Sequence, residues 1–155
     1  MATPRETMEK TLRTFLAGYL DASQAKDSTK LSAVLTPDCQ RHFAPPSFLK
    51  NLGAPPDMTL DNKGYEDFFT AELPVVLTKS VDGIENVVID TEKRTGAATT
   101  KYTQEFKDGT LFPFEFAWFV SFDEEGTKIS KILEWVDAIE TPKYHAKIKE
   151  LQGKE

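Results

Sequence analysis

The hydrophobic period changes once along this chain, about midway, and that change limits the folds open to it. Early on, Met8, Leu12, Phe15, Leu16 and Tyr19 recur at intervals of three and four, one buried stripe of an amphipathic helix. Later, residues 84–92, 95–106, 111–123 and 127–138 are rich in Val, Ile, Thr and Phe, with turn signals at Asp108-Gly109 and Glu125-Gly126. Helices followed by an antiparallel meander predict an α+β fold, with the helices packed on one face of a curved sheet. The 155 residues suit a single domain, 1–155, with its core over about 8–140.

Local signals fill in the helical part. Thr3, Pro4 and Glu6 form a capping box with proline at the first helical position. Ser28 is placed to cap a second short helix with Leu31, Val34 and Leu35 inward, stopped before Pro37. Residues 38–61 carry Pro45-Pro46 and Pro55-Pro56 but also Phe43, Phe48, Leu49 and Leu52, so a packed loop covering an opening is expected. Asp61 or Asn62 caps a third helix bearing Tyr65, Phe68, Phe69 and Leu73, and 142–151 reads as a short exposed helix.

A two-residue hairpin at Asp108-Gly109 sets Tyr102 opposite Glu115; pairing Phe122 with Lys128 sets Glu134 opposite Phe116. One sheet face then holds Phe112, Phe114, Phe116, Trp118, Ile132, Glu134 and Val136. The other holds Glu115, Ala117, Phe119, Leu133, Trp135 and Asp137. Both are apolar for a sheet with one wet side, and helices cover only one, so the outer face predicts a homodimer.

Several function classes fall away. A net charge of −6 and a pI near 5.0 oppose nucleic-acid binding. No stretch approaches the roughly 20 apolar residues of a membrane span. Arg5, Glu6, Glu9 and Lys10 occupy the place of a secretory apolar block, and lone Cys39 fits a reducing, cytoplasmic setting. The chain has no glycine-rich phosphate loop, nucleophile elbow or Cys-x-x-Cys, and its two histidines lack metal-ligand spacing. Chemistry without cofactor or metal is therefore expected: acid–base catalysis, or binding alone.

Glu134 is the leading candidate. An acid within Lys131-Ile-Leu-Glu-Trp-Val136 is costly to bury unless paired or protonated, and desolvation makes it a usable general acid or base; a cross-sheet ion pair explains it equally well. Arg41 offers a fork of donors to a carbonyl or oxyanion, and His42 a proton shuttle, although either can be structural. Tyr65 can present a hydroxyl to a cavity. Tyr102 and Asp137 fall on the outer face in this register, and a bulge would reverse that for Asp137. His145 lies in a polar stretch and is expected to be solvated.

Three stretches, Asp38 to Phe48, Asp61 to Phe69 and Phe114 to Asp137, resemble the small fungal SnoaL-like proteins of secondary-metabolite biosynthesis. The resemblance implies the cone-shaped nuclear transport factor 2-like fold, shared with SnoaL-like polyketide cyclases, ketosteroid isomerase and scytalone dehydratase. It further implies an apolar cavity and a cofactor-free isomerase or cyclase acting on a polycyclic terpenoid or indole-alkaloid intermediate. In the indole-alkaloid semipinacolase pattern, an arginine and a glutamate matching Arg41 and Glu134 sit in the pocket with two strand tyrosines. Those tyrosines fall here on Phe112 and Phe116, so two phenolic donors are missing. Phe112, Phe114, Phe116 and Trp118 are then expected to shape the substrate site. A dehydratase or epoxide hydrolase on the same cone, and a non-catalytic binding protein, are the other readings.

Overall fold

The computed structural model describes residues 1–153, so the last two positions of the expected domain lie outside the described residues. Helix α1 runs Pro4–Ala25. The Thr3 hydroxyl accepts from Glu6 N at 3.2 Å, and the Glu6 carboxylate accepts from Thr3 N at 2.7 Å, closing the expected capping box. The stripe Met8, Leu12, Phe15, Leu16 and Tyr19 is buried, and each such side chain contributes about 1.5–3 kcal/mol.

The chain then departs from the helical reading. A single 3-10 stretch, Ser28–Ser32, replaces the second α-helix, and strand β1, Leu35–Ala44, replaces the start of the packed loop. Pro37 and the polar run Asp38, Gln40, Arg41 and His42 hide the strand's alternation; proline is tolerated because the pairing with the neighbouring strand slips between Leu35 and Gln40. Helix α2, Pro46–Asn51, strand β2, Thr59–Leu60, and helix α3, Asn62–Glu72, follow, with Asp61 capping α3 through Gly64 N at 2.7 Å.

Four long strands complete the sheet: β3, Val76–Asp90; β4, Thr95–Phe106; β5, Leu111–Phe122; and β6, Ile129–Trp135. Their order is β2-β1-β6-β5-β4-β3. Strand β1 lies parallel to β6, so the sheet is mixed where an antiparallel one was expected; the whole intervening chain serves as the crossover. Helix α4, Glu140–Leu151, closes the chain. It is not an exposed helix, since Tyr144 and Ile148 are buried against Val75, Val76, Phe106 and Phe114. Among the described residues no helix is long and apolar enough to cross a membrane.

Both hairpin registers differ from expectation, with different consequences. The β4–β5 turn has three residues, with Gly109 at φ 87°, and pairs Tyr102 with Phe114. That one-residue slip moves Tyr102 to the inner face. The β5–β6 pairing slips by two, setting Glu134 opposite Trp118 instead of Phe116, and a slip of two leaves every side chain on its face.

Candidate active site

Between the inner face of the sheet and helices α2, α3 and α4 lies a cavity of about 640 Å³. Phe114, Phe116 and Trp118 project from alternate positions of β5 to form its floor, with ring centroids 5.5 and 5.9 Å apart. The segment expected to cover an opening supplies a wall through Phe48, Leu52, Ala54 and Met58. Phe68, 46% exposed, stands at the rim beside the His145 ring, with centroids 5.9 Å apart.

Two groups of polar side chains interrupt this apolar lining. In the first, Arg41 from β1 donates through Nη1 to Glu134 Oε1 at 2.8 Å and to Tyr19 Oη at 2.7 Å. Arg41 is 3% exposed and sits behind Glu134 and Tyr19, which face the cavity. The Tyr65 ring covers its guanidinium, with the central carbon 3.4 Å from the ring centroid, and the Tyr65 hydroxyl donates to Tyr19 Oη at 3.4 Å. Burial raises the Glu134 pKa, and the Arg41 cation works against it. Burial likewise raises the Tyr19 pKa, again opposed by Arg41. Burial also disfavours the Arg41 cation, but Tyr19, Tyr65 and Glu134 together outweigh it and raise its pKa. Tyr19, with two donors on its oxygen, keeps its own hydrogen free to donate into the cavity.

The second group joins helices α3 and α4 to the outer strands. Lys79 Nζ bonds Glu72 Oε2 at 2.6 Å, and the Tyr144 hydroxyl donates to the same oxygen at 2.8 Å. Lys79 and Gln104 are cross-strand partners on the inner face. Gln104 Oε1 and Thr141 Oγ1 are buried without a hydrogen-bond partner.

The expected site residues divide accordingly. Arg41, Glu134, Tyr65, Tyr102, Phe114, Phe116 and Trp118 converge on the cavity or directly behind it. The Tyr102 hydroxyl is already committed, donating to Leu16 O at 2.9 Å, so it offers the cavity only its ring. Phe112 packs against Phe106, Phe114 and Tyr144, one layer back from the lining. His42 is corrected to the outer face, beside Phe119, Lys131 and Leu133, because neighbours along a strand alternate and Arg41 takes the inside. Asp137 is corrected too: Oδ1 accepts from Ile139 N and Glu140 N, at 3.0 and 2.9 Å, at the entry to α4. His145 is a further correction, half-buried at the cavity with its pKa lowered by burial, not solvated.

Tyr19, Glu72, Lys79, Gln104 and Tyr144 were not singled out in the sequence. Tyr19 was legible, being the one hydroxyl among the five apolar-stripe positions of α1. Gln104 was hidden by the register, since it shares a face of β4 with Tyr102, which a two-residue hairpin sets outside and the three-residue turn brings in. Lys79 had no local signal, because β3 slips register three times, and Glu72 ends helix α3 as an acid with no apolar periodicity of its own.

No protein-family model matches this sequence, and no curated protein does. Solved structures do. BvnE pinacolase from Penicillium brevicompactum superposes with a TM-score of 0.75 at 19% identity, over 97% of this chain and 96% of that one. PrhC from Penicillium brasilianum gives 0.74 at 16% identity, over 94% and 92%. An NTF2-like protein of unknown function from Burkholderia pseudomallei gives 0.64 at 12% identity, over 88% and 95%. The fold is therefore the nuclear transport factor 2-like α+β cone.

Proposed function

We propose that this protein is an isomerase or cyclase that rearranges an apolar polycyclic terpenoid or indole-alkaloid intermediate by acid–base chemistry. The observation that carries the reading is the Arg41–Glu134–Tyr19 cluster, set in the wall of a largely apolar, aromatic-floored cavity of about 640 Å³. A buried carboxylate beside a neutral phenol is a base paired with a hydrogen-bond donor. The likeness in fold to a pinacolase adds support for a skeletal rearrangement.

In a semipinacol-type step, Glu134 takes the proton of a substrate hydroxyl as its carbon–oxygen bond becomes a carbonyl. A neighbouring carbon migrates, with its bonding electrons, to the adjacent electrophilic carbon. The electron pair displaced there settles on that carbon's own oxygen, which receives the proton, so mass is unchanged. Tyr19 donates to the oxygen that gathers charge. Arg41 acts one step back, polarising Tyr19 and holding Glu134, and so serves as a positioning residue. Phe114, Phe116 and Trp118 exclude water and fix the substrate, a contribution of several kcal/mol when the geometry is productive.

The test is incubation with pathway intermediates followed by mass-resolved chromatography. A product of unchanged mass, absent with Glu134→Gln, is expected. Gain or loss of water would replace the reading with a hydratase or dehydratase, and a compound retained unaltered by gel filtration would replace it with a binding protein.

The outer sheet face is where a second copy docks. Val88, Phe119 and Trp135 are 62%, 49% and 46% exposed there. The same face carries Lys101 and Lys131 with Glu85 and Glu115, so two copies of a net-acidic chain meet without stacking like charge. Light scattering at micromolar concentration should give a dimer; a monomer refutes it.

A further inference from the structure

The two buried carboxylates of the cavity are built alike on different elements. Glu134 of β6 spends Oε1 on Arg41 at 2.8 Å. Glu72, at the end of α3, spends Oε2 on Lys79 at 2.6 Å and on the Tyr144 hydroxyl at 2.8 Å. Their other oxygens, Glu134 Oε2 and Glu72 Oε1, accept no hydrogen bond from the described residues, yet neither is sealed: the side-chain atoms both sealed and unpartnered are on Thr36, Gln104 and Thr141. Both residues line the cavity, so both bare oxygens open on it. An ionised carboxylate oxygen only accepts, and in an apolar cavity it is costly to leave unmet by a proton or a positive charge.

The matching cations are covered. The Arg41 guanidinium has its central carbon 3.4 Å from the Tyr65 ring centroid and 5.5 Å from that of Phe15. Lys79 Nζ stands 4.5 Å from the Phe69 centroid and 5.7 Å from that of Tyr144. Aromatic rings thus take up the positive charge of the wall, while the carboxylates keep free oxygens. The floor of Phe114, Phe116 and Trp118 adds rings whose faces attract cations. The fields of the two carboxylates overlap, since the Glu72 charge raises the Glu134 pKa and the Lys79 charge opposes it. Of the remaining titratable groups on the lining, Asp67 is exposed and paired with Lys63, and burial keeps His145 neutral at neutral pH.

We propose that this cavity holds a positively charged polycycle, and that Glu72 is a further residue of the reaction site, its free oxygen available to that charge from α3 as that of Glu134 is from β6. The proposal rests on the reading of the cavity as a polycyclic-substrate site and adds the charge of the species held there. In the rearrangement above, the carbon–oxygen bond at the electrophilic carbon breaks and its electron pair goes to oxygen. That carbon carries the positive charge until the migrating group brings its own pair. The proton taken by Glu134 ends on the oxygen, so atoms and charge balance without a co-reactant. An ammonium group is a stable stand-in for that carbon.

Three probes on one tricyclic skeleton test it: dehydroabietylamine, dehydroabietinol and dehydroabietic acid, which at neutral pH carry an ammonium, a hydroxyl and a carboxylate. A cavity that was merely apolar would favour the alcohol, because desolvation penalises either ion. Calorimetric titration should instead place the amine about tenfold tighter than the alcohol, the scale of a desolvated cation over aromatic rings, with the acid weakest. Glu72→Gln should cut the amine's advantage severalfold. Because that change strands the Lys79 charge, the double variant Glu72→Gln, Lys79→Met is measured beside it. The double variant leaves the net charge of the cavity wall unchanged, and the amine's advantage should still fall, since the lost oxygen was free and the lost cation covered. An alcohol that binds as tightly as the amine, or an advantage that survives both variants, overturns the proposal. Tightest binding by the acid overturns it too and makes Lys79 the charge that the cavity presents. Failure of all three probes to bind overturns the polycyclic-substrate reading itself, an outcome distinct from a wrong order among bound probes.

Discussion

Replacing Arg41 with methionine should destabilise the protein in a pH-dependent way. Arg41 is 3% exposed, and the Glu134 side chain it holds at 2.8 Å is 9% exposed. Methionine fills much of the arginine stem's volume, so the loss is mainly that of the counter-charge. Stranding one member of a buried ion pair costs about 3–5 kcal/mol. In a chain of this length that lowers the melting temperature by about 6–20 °C. Burial already raises the Glu134 pKa, with Arg41 opposing it, so removing Arg41 raises it further. A carboxyl whose pKa rises on folding stabilises fully below its unfolded pKa and loses that contribution as pH climbs through the folded value. The deficit of Arg41→Met should therefore be small near about pH 5 and grow toward about pH 8, in a window above the ordinary carboxylate range. Urea melts at the two pH values measure it, and adding Glu134→Leu should restore most of the loss. An equal deficit at both pH values, or a double variant no more stable than the single, refutes the assignment of the cost to Glu134.

Gly126→Ala should cost about 1–3 kcal/mol, because φ is 74° there and the new Cβ would stand 2.9 Å from Met8 Cγ. Chemical denaturation measures this, and unchanged stability would refute it. Cys39 is 1% exposed and burial pushes its thiol up to about 11, so it should resist a disulfide reagent at mildly alkaline pH until the chain unfolds. Prompt reaction of the native protein would contradict that placement.

The legible parts of this fold were those where one physical signal acted alone. The α1 stripe buries one face as read, and strands β4 and β5 fall within a residue of the expected 95–106 and 111–123. Strand β1 was illegible because its inward positions include Arg41, a charge made tolerable by partners far off in sequence: Glu134, 93 residues away, with Tyr19 and Tyr65. Its parallel pairing with β6 is equally non-local, so no local turn signal announces it. Registers depended on turn geometry: a third loop residue at Gly109 was enough to bring Tyr102 inside. The Arg41–Glu134 half of the site survived these errors because an even slip on β6 preserves faces. The Glu72–Lys79 half did not, since each residue reads as an ordinary surface charge until the other is brought to it.

The resemblance assigns two strand tyrosines to the pocket, and this chain has Phe112 and Phe116 in their places. The structure supplies phenols from the opposite layer: Tyr19 of α1 and Tyr65 of α3 meet over the Arg41 guanidinium. The change has a physical consequence. A phenol on β5 would stand on the cavity floor, whereas Tyr19 stands against Arg41 and Glu134, where one cation governs both the base and the donor. Base strength and donor strength are therefore coupled, since both Glu134 and Tyr19 have pKa values that burial raises and Arg41 restrains. Tyr19→Phe removes the donor while leaving Arg41 paired with Glu134. That variant should keep its substrate affinity and lose turnover, and Phe116→Tyr should not rescue it, because the new hydroxyl would lie on the floor and away from the Arg41 cation. Turnover unchanged in Tyr19→Phe would place the hydrogen-bond donor elsewhere in the cavity.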